Sequence, residues 1–250
     1  MAKQSVHNKI LKSAAREVLA PLGLQQEGRS RGWHDDGGWY VIGVEFQPSN
    51  WTKGSYLNIA AQWLWYPRDF FCMDLGGREI GFIEFEDETQ FRSASVELAQ
   101  LAAKRVLELR GKVATLAGAY ATLSAHCATP PQPPEQLPDR SDPEKLAAVY
   151  EALAADWEER RKRPGQWRDL HLWVLAGLVG KVDEGKSLAS HAKVPAPRQE
   201  FDRERNRYIE ALLEVIEDPE ALRAWLEEKI AECRALLKLE ACKPPVLPAS

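Results

Sequence analysis

The 250-residue chain holds only four cysteines, Cys72, Cys127, Cys233 and Cys242, and their spacing fits neither a disulfide framework nor a zinc motif. It also lacks a Gly-x-x-x-x-Gly-Lys-Ser/Thr loop, a Gly-x-Ser-x-Gly elbow and any Cys-x-x-Cys pair, which takes away the common nucleotide-binding, hydrolase and zinc readings. Neither sign of charge dominates: 33 basic side chains stand against 37 acidic ones, for a net charge of −4. That balance cannot supply the strong positive field that a phosphate backbone attracts, so a nucleic-acid partner is disfavoured. The most apolar run, Leu170 to Val179, is about half of the ~20 residues a membrane span needs. The first residues, Met1 to Lys9, lead into an amphipathic segment instead of the apolar run of a secretory signal. Together these absences predict a cytoplasmic protein with reduced thiols and no membrane segment.

What is present is enough for a packed core: 44% hydrophobic residues, nine of them tryptophan. Tyr40, Ile42, Val44 and Phe46 alternate with other residues on one segment, and Leu57, Ile59, Ala61, Trp63 and Trp65 on the next. This period of two predicts adjacent strands covered on one side. Before them, Ile10, Leu11, Ala14, Ala15, Val18 and Leu22 recur at helical spacing until Pro21 and Gly23, which predicts a helix over residues 5–20. Asp36-Gly37-Gly38 reads as a hairpin turn, and Glu79 to Phe85 as a fourth strand after the Gly76-Gly77 turn.

From Phe91 to His126 the pattern becomes that of an Ala- and Leu-rich helix broken near Gly111, placed to pack on the sheet face of Trp63 and Trp65. Five prolines between Thr129 and Pro138 predict an extended spacer. Beyond it, Ser141-Asp142-Pro143-Glu144 is a capping box that starts an apolar stripe through Leu146, Val149, Tyr150, Leu153 and Trp157, stopped at Pro164-Gly165. Three more helices follow, over Trp167 to Val179, 198–217 and 219–240. The expected class is therefore α+β: an N-terminal antiparallel meander with helices over 1–127, a linker over 128–140, an all-α domain over 141–242, and a flexible tail over 243–250.

Several groups carry potential chemistry. His34-Asp35-Asp36 has the residue types for metal binding or acid/base work, but it abuts glycines in a turn that explains the aspartates without a ligand. His126 and Cys127 are helix neighbours about 100° apart and cannot pair as base and nucleophile. Trp33, Trp39, Trp51, Trp63, Trp65 and Tyr66 suggest a stacking platform, with Trp63 and Trp65 better read as core and Trp51 standing apart in a polar loop. Residues 187–207 resemble the turn and basic helix of a DNA-binding motif, yet Arg198, Arg203, Arg205 and Arg207 alternate with Glu200, Asp202 and Glu204, the mark of a salt-bridged, solvated helix. Glu84, Glu86, Asp87 and Glu88 form an acidic run that protects a strand edge, faces a basic partner, or supplies paired carboxylates for acid/base work or a hard cation.

Asn8-Lys9-Ile10, Leu22-Gly23-Leu24, Val44-Glu45-Phe46-Gln47-Pro48-Ser49 and Tyr56-Leu57-Asn58-Ile59 resemble a bacterial family called domain of unknown function 4304, over residues 5–125. The chain departs from that family by the extra Trp51-Thr52-Lys53 and by the proline stretch. The resemblance implies an accessory or immunity protein encoded beside a bacterial toxin, and carries over no functional residue. The resulting expectation is a non-catalytic protein-binding module that occludes a toxin through Trp51, Lys53, Glu84, Glu86, Asp87 and Glu88, with Asp35 and Asp36. No cofactor, metal or catalytic residue is expected. The alternatives are an enzyme with its site near the hairpin and a weak DNA-binding regulator.

Overall fold

The computed structural model describes residues 5–129, 143–162, 166–243 and 246–248. The elements run α1 (Val6–Leu19), a 3-10 turn (Ala20–Leu22), β1 (Gln25–Gln26), β2 (Gly32–Asp36), β3 (Tyr40–Glu45), β4 (Gly54–Trp63), β5 (Leu75–Glu84), α2 (Glu88–Val113) and α3 (Leu116–Ala128). Helices α4 (Pro143–Lys162), α5 (Trp167–Leu178), α6 (Val182–Ala192), α7 (Glu200–Val215) and α8 (Pro219–Leu236) follow. The class is α+β, as the alternation of patterns predicts. The chain divides into two compact units, residues 1–63 with 70–111, and residues 64–69 with 112–250.

The first unit is a five-stranded antiparallel meander in the order β1-β2-β3-β4-β5, with α1 and α2. Register sets the faces: Tyr40 lies opposite Trp63, Ile42 opposite Ala61 and Val44 opposite Ile59, so the apolar alternation of β3 meets that of β4. Trp39 adds its ring to this layer, stacked on Trp63 at 5.6 Å between centres and 13° between planes. Helix α2 is tied to the same face through Arg110, which holds the Asp35 carboxylate with two bonds of 2.8 Å. The hairpin between β2 and β3 turns at Gly38, whose φ of 85° suits glycine, while Asp36 Oδ1 accepts the Gly38 N–H at 2.9 Å.

One-sided cover is corrected. Tyr40 to Val44 are buried in succession, because the segment after β4 folds back over the second face. The Phe71 ring fills the space above Gly43, where a Cβ would lie 2.2 Å from it, and Cys72 N–H donates to Gln62 Oε1 at 2.8 Å. The two-residue β1 also escapes a reading based on apolar alternation, since Gln25 and Gln26 carry none.

In the second unit, α3 packs with α5, and α5 with α6 and α8, around Leu170, Trp173, Val174, Leu226 and Ile230, all buried. The helical break falls at Thr115, whose hydroxyl caps α3 by accepting from Gly118 N–H at 3.0 Å; Gly111 lies inside α2. Helix α3 and Leu64–Asp69 group with the helical unit. Residues 187–192, expected as a turn, belong to α6. Along α4, Trp157 is buried and Val149 and Leu153 half-buried, in keeping with the predicted stripe. The Pro130–Pro138 stretch, Ser141 and Asp142 of the capping box, and the Pro164-Gly165 stop lie outside the described residues. The tail expected to be flexible is anchored in part: the Val246 and Leu247 N–H groups donate to the Glu227 carboxylate at 2.7–2.9 Å, and Leu247 is buried.

Candidate partner-binding surface

The loop before β4 and the turn after β5 are more than 30 residues apart in sequence and adjacent in space. Antiparallel pairing sets Gly54 against Glu84 and Ser55 against Ile83, and Phe85 N–H donates to Lys53 O at 2.9 Å. Gly54 is required for this closure. Its φ is 154°, and a Cβ there would meet the Ile83 carbonyl oxygen at 2.1 Å. Ser49 Oγ accepts from Trp51 N–H at 3.1 Å and Thr52 N–H at 3.3 Å, which folds the loop and points the chain outward. Trp51 is 95% exposed, an extreme for the residue with the largest apolar surface.

Beside it, Glu84, Glu86, Asp87 and Glu88 are all exposed. They do different work. Asp87 caps α2, its Oδ1 accepting from Thr89 N–H at 2.8 Å and Gln90 N–H at 2.9 Å. Gln90 closes the turn by donating to Glu84 O at 3.2 Å. The carboxylates of Glu84, Glu86 and Glu88 are left as the outward charge, close to the positive end of the α2 dipole. Trp51 and Lys53 therefore lie with Glu84, Glu86 and Glu88 on one edge of the sheet, as a set drawn from two distant stretches.

Asp35 and Asp36 do not join them. The β2–β3 hairpin lies at the end of the sheet where Tyr40 faces Trp63, opposite to the end where Gly54 faces Glu84. The Asp35 side chain is 13% exposed and held by Arg110, so its job is to tie β2 to α2. Asp36 shapes the turn. Among the described residues no group of His, Cys, Asp and Glu is arranged to hold a metal ion. No helix among them is long and apolar enough to cross a membrane.

The remaining tryptophans of the supposed platform, Trp33, Trp39, Trp63 and Trp65, are buried, as is Tyr66. On α7, Glu200 pairs with Arg203 at 2.7 Å and Arg207 at 2.8 Å, the solvated pattern expected. Arg205 is a correction to that pattern, being 3% exposed. It donates to Ala192 O at 2.6 Å, and its guanidinium lies 4.4 Å from the centre of the Trp167 ring. Arg68 lies at the same distance from that ring. Around them Trp65 Nε1–H donates to His171 Nδ1 at 3.0 Å and the Tyr208 hydroxyl donates to Trp65 O at 2.6 Å. Burial pushes the Tyr208 phenol well up from its ordinary range, and depresses Arg205. This cluster fixes Leu64–Asp69 onto the helices by cation–π and hydrogen-bond contacts. Its signal in the sequence is spacing: Arg205, Ile209, Leu212 and Ile216 follow a 4-3-4 stripe, so the arginine sits on the buried face of α7.

On the second face of the sheet, Asn58 donates to Glu45 Oε2 at 2.8 Å and to Gln47 Oε1 at 3.0 Å. Arg78 donates to Gln47 Oε1 at 2.6 Å and lies 4.1 Å from the Tyr56 ring centre. These polar groups satisfy one another across the strands. Comparison of the chain with protein-family models, curated proteins and solved structures gives no match.

Proposed function

We propose that this protein is a non-catalytic binding module, an immunity-type protein that occludes a bacterial toxin encoded beside it. The observation that carries the reading is the pairing of a fully presented Trp51 with the outward carboxylates Glu84, Glu86 and Glu88 at one sheet edge. An aromatic ring that gains nothing from the fold has its surface free to be buried in a partner, and tryptophan is among the residue types that dominate interface energies. The carboxylates add long-range attraction to a basic cleft, raising the association rate and disfavouring acidic partners. A basic cleft is what a phosphate-cleaving or phosphate-binding toxin presents, and a ridge of acids set against it blocks entry sterically and electrostatically. The resemblance of residues 5–125 to the domain of unknown function 4304 family supports the same context.

The test is co-expression with the product of the neighbouring gene. The reading expects rescue of growth and a stoichiometric complex. Growth arrest despite abundant folded protein, with no complex on size exclusion, would sink it.

A further inference from the structure

The loop Pro48–Gly54 and His7 enclose an open pocket of about 230 Å³. Its charge is of one sign. Lys53 forms part of the wall and is exposed. Behind the loop, the half-buried Arg31 guanidinium donates to Gly54 O at 3.0 Å, to Phe46 O at 3.4 Å and to Asn8 Oδ1. Among the described residues neither Arg31 nor Lys53 is paired with a carboxylate. Carbonyl and amide oxygens orient the Arg31 fork without cancelling its charge.

His7 adds a third element. It stands in the first turn of α1, where no acidic side chain offsets the positive end of the helix dipole. Its ring packs at 5.7 Å from Phe85 and 6.3 Å from Phe91, which fixes it as a wall of the pocket. Burial and the charges of Arg31 and Lys53 hold its proton affinity below the ordinary value, so it responds to the same positive field a ligand would meet. Around it the loop brings Thr52 and Asn50 into the lining.

We propose that this pocket binds a small oxyanion, a phosphate, sulfate or carboxylate group, with Lys53 as its direct charged contact, Arg31 as a fixed charge behind the loop and Trp51 at the rim. The volume is below that of sites for drug-sized ligands, so the site takes a head group and not a whole nucleotide. Glu84, opposite Gly54 in the β4–β5 register, is the nearest acid by register and opposes binding. The inference goes beyond the protein-binding reading and stands without it, because the ligand is tested on the isolated protein.

The experiment is a titration of the isolated full chain with inorganic phosphate, sulfate and acetate at fixed ionic strength. It follows the Trp51 indole N–H and His7 ring signals by NMR. A saturable shift confined to His7 and residues 48–54, weakened about tenfold or more in Lys53→Ala and strengthened about twofold in Glu84→Gln, is expected. Phosphate or sulfate binding more tightly than acetate identifies a phosphoryl or sulfuryl group as the preferred ligand, and the reverse order a carboxylate. Lys53 is exposed and outside the core, so its variant reports on binding and not on folding. Linear, unsaturated shifts with all three anions, or equal affinity in Lys53→Ala, would overturn the proposal.

Discussion

Trp51 and Trp63 show one residue type in opposite uses. Trp63 sits in a strand with alternating neighbours, stacks on Trp39 and is fully buried; Trp51 sits between Asn50 and Thr52 and is 95% exposed. Truncation of Trp63 to Ala should cost about 3–5 kcal/mol, measured by denaturant unfolding, because it leaves a large cavity. Trp51→Ala should stay within about 0.5 kcal/mol of the native chain in the same assay. A large loss for Trp51→Ala would mean that the ring supports the fold. These two roles were legible in the sequence, because one ring lay in a period-two pattern and the other in a polar loop. The roles of Asp35 and Asp87 were not. A carboxylate in an acidic run looks the same whether it faces solvent or serves Arg110 or the first N–H groups of a helix.

At the scale of elements, the sheet and the first helix were legible because each carries a strong period. The cover on the second sheet face was not, since Phe70 to Asp74 has no period and reaches Gly43 only through the fold. Helix α6 was hidden by Gly185 and by serines that suggest a turn. Gly54 closes the β4–β5 pairing beside Glu84, and Gly54→Ala should destabilise by about 2 kcal/mol or more by thermal or chemical unfolding, from positive φ and contact with Ile83 O. At the start of α1, His7 binds its proton less well in the folded chain than at its ordinary value of 6.5, chiefly through burial, then through Arg31 and Lys53. The unfolded chain then takes up more protons, so stability falls as pH drops through 6.5 and levels off below the folded-state value. His7→Gln should flatten that part of the profile between about pH 7.5 and pH 5; an unchanged slope would show that other groups set it.

Across the whole molecule, the sequence announced a strand-rich first part and a helical second part, and the α+β class follows from that order. The limits of the compact units were less legible, because the Leu64–Asp69 segment is assigned by side chains far along the chain. Arg68, Tyr66 and Trp65 meet Trp167, His171 and Tyr208 there. Arg205→Ala should therefore lower the stability of the helical unit by about 2 kcal/mol, seen as faster amide exchange at the end of α6, whose Ala192 carbonyl it holds. Exchange no faster than in the native chain would assign the arginine no such role.

The central claim, that the edge carrying Trp51 and the three glutamates is where a partner docks, is tested most directly by the affinity of the chain for its co-encoded neighbour. Native protein, Trp51→Ala and a triple Glu84→Lys, Glu86→Lys, Glu88→Lys variant would be compared by calorimetry beside their unfolding curves. Loss of about 2 kcal/mol of binding or more, roughly thirtyfold, in each variant is the predicted result, with stability unchanged in Trp51→Ala and lowered by no more than about 2 kcal/mol in the triple variant, whose lysines face the positive end of the α2 dipole. Native affinity in both variants would contradict it.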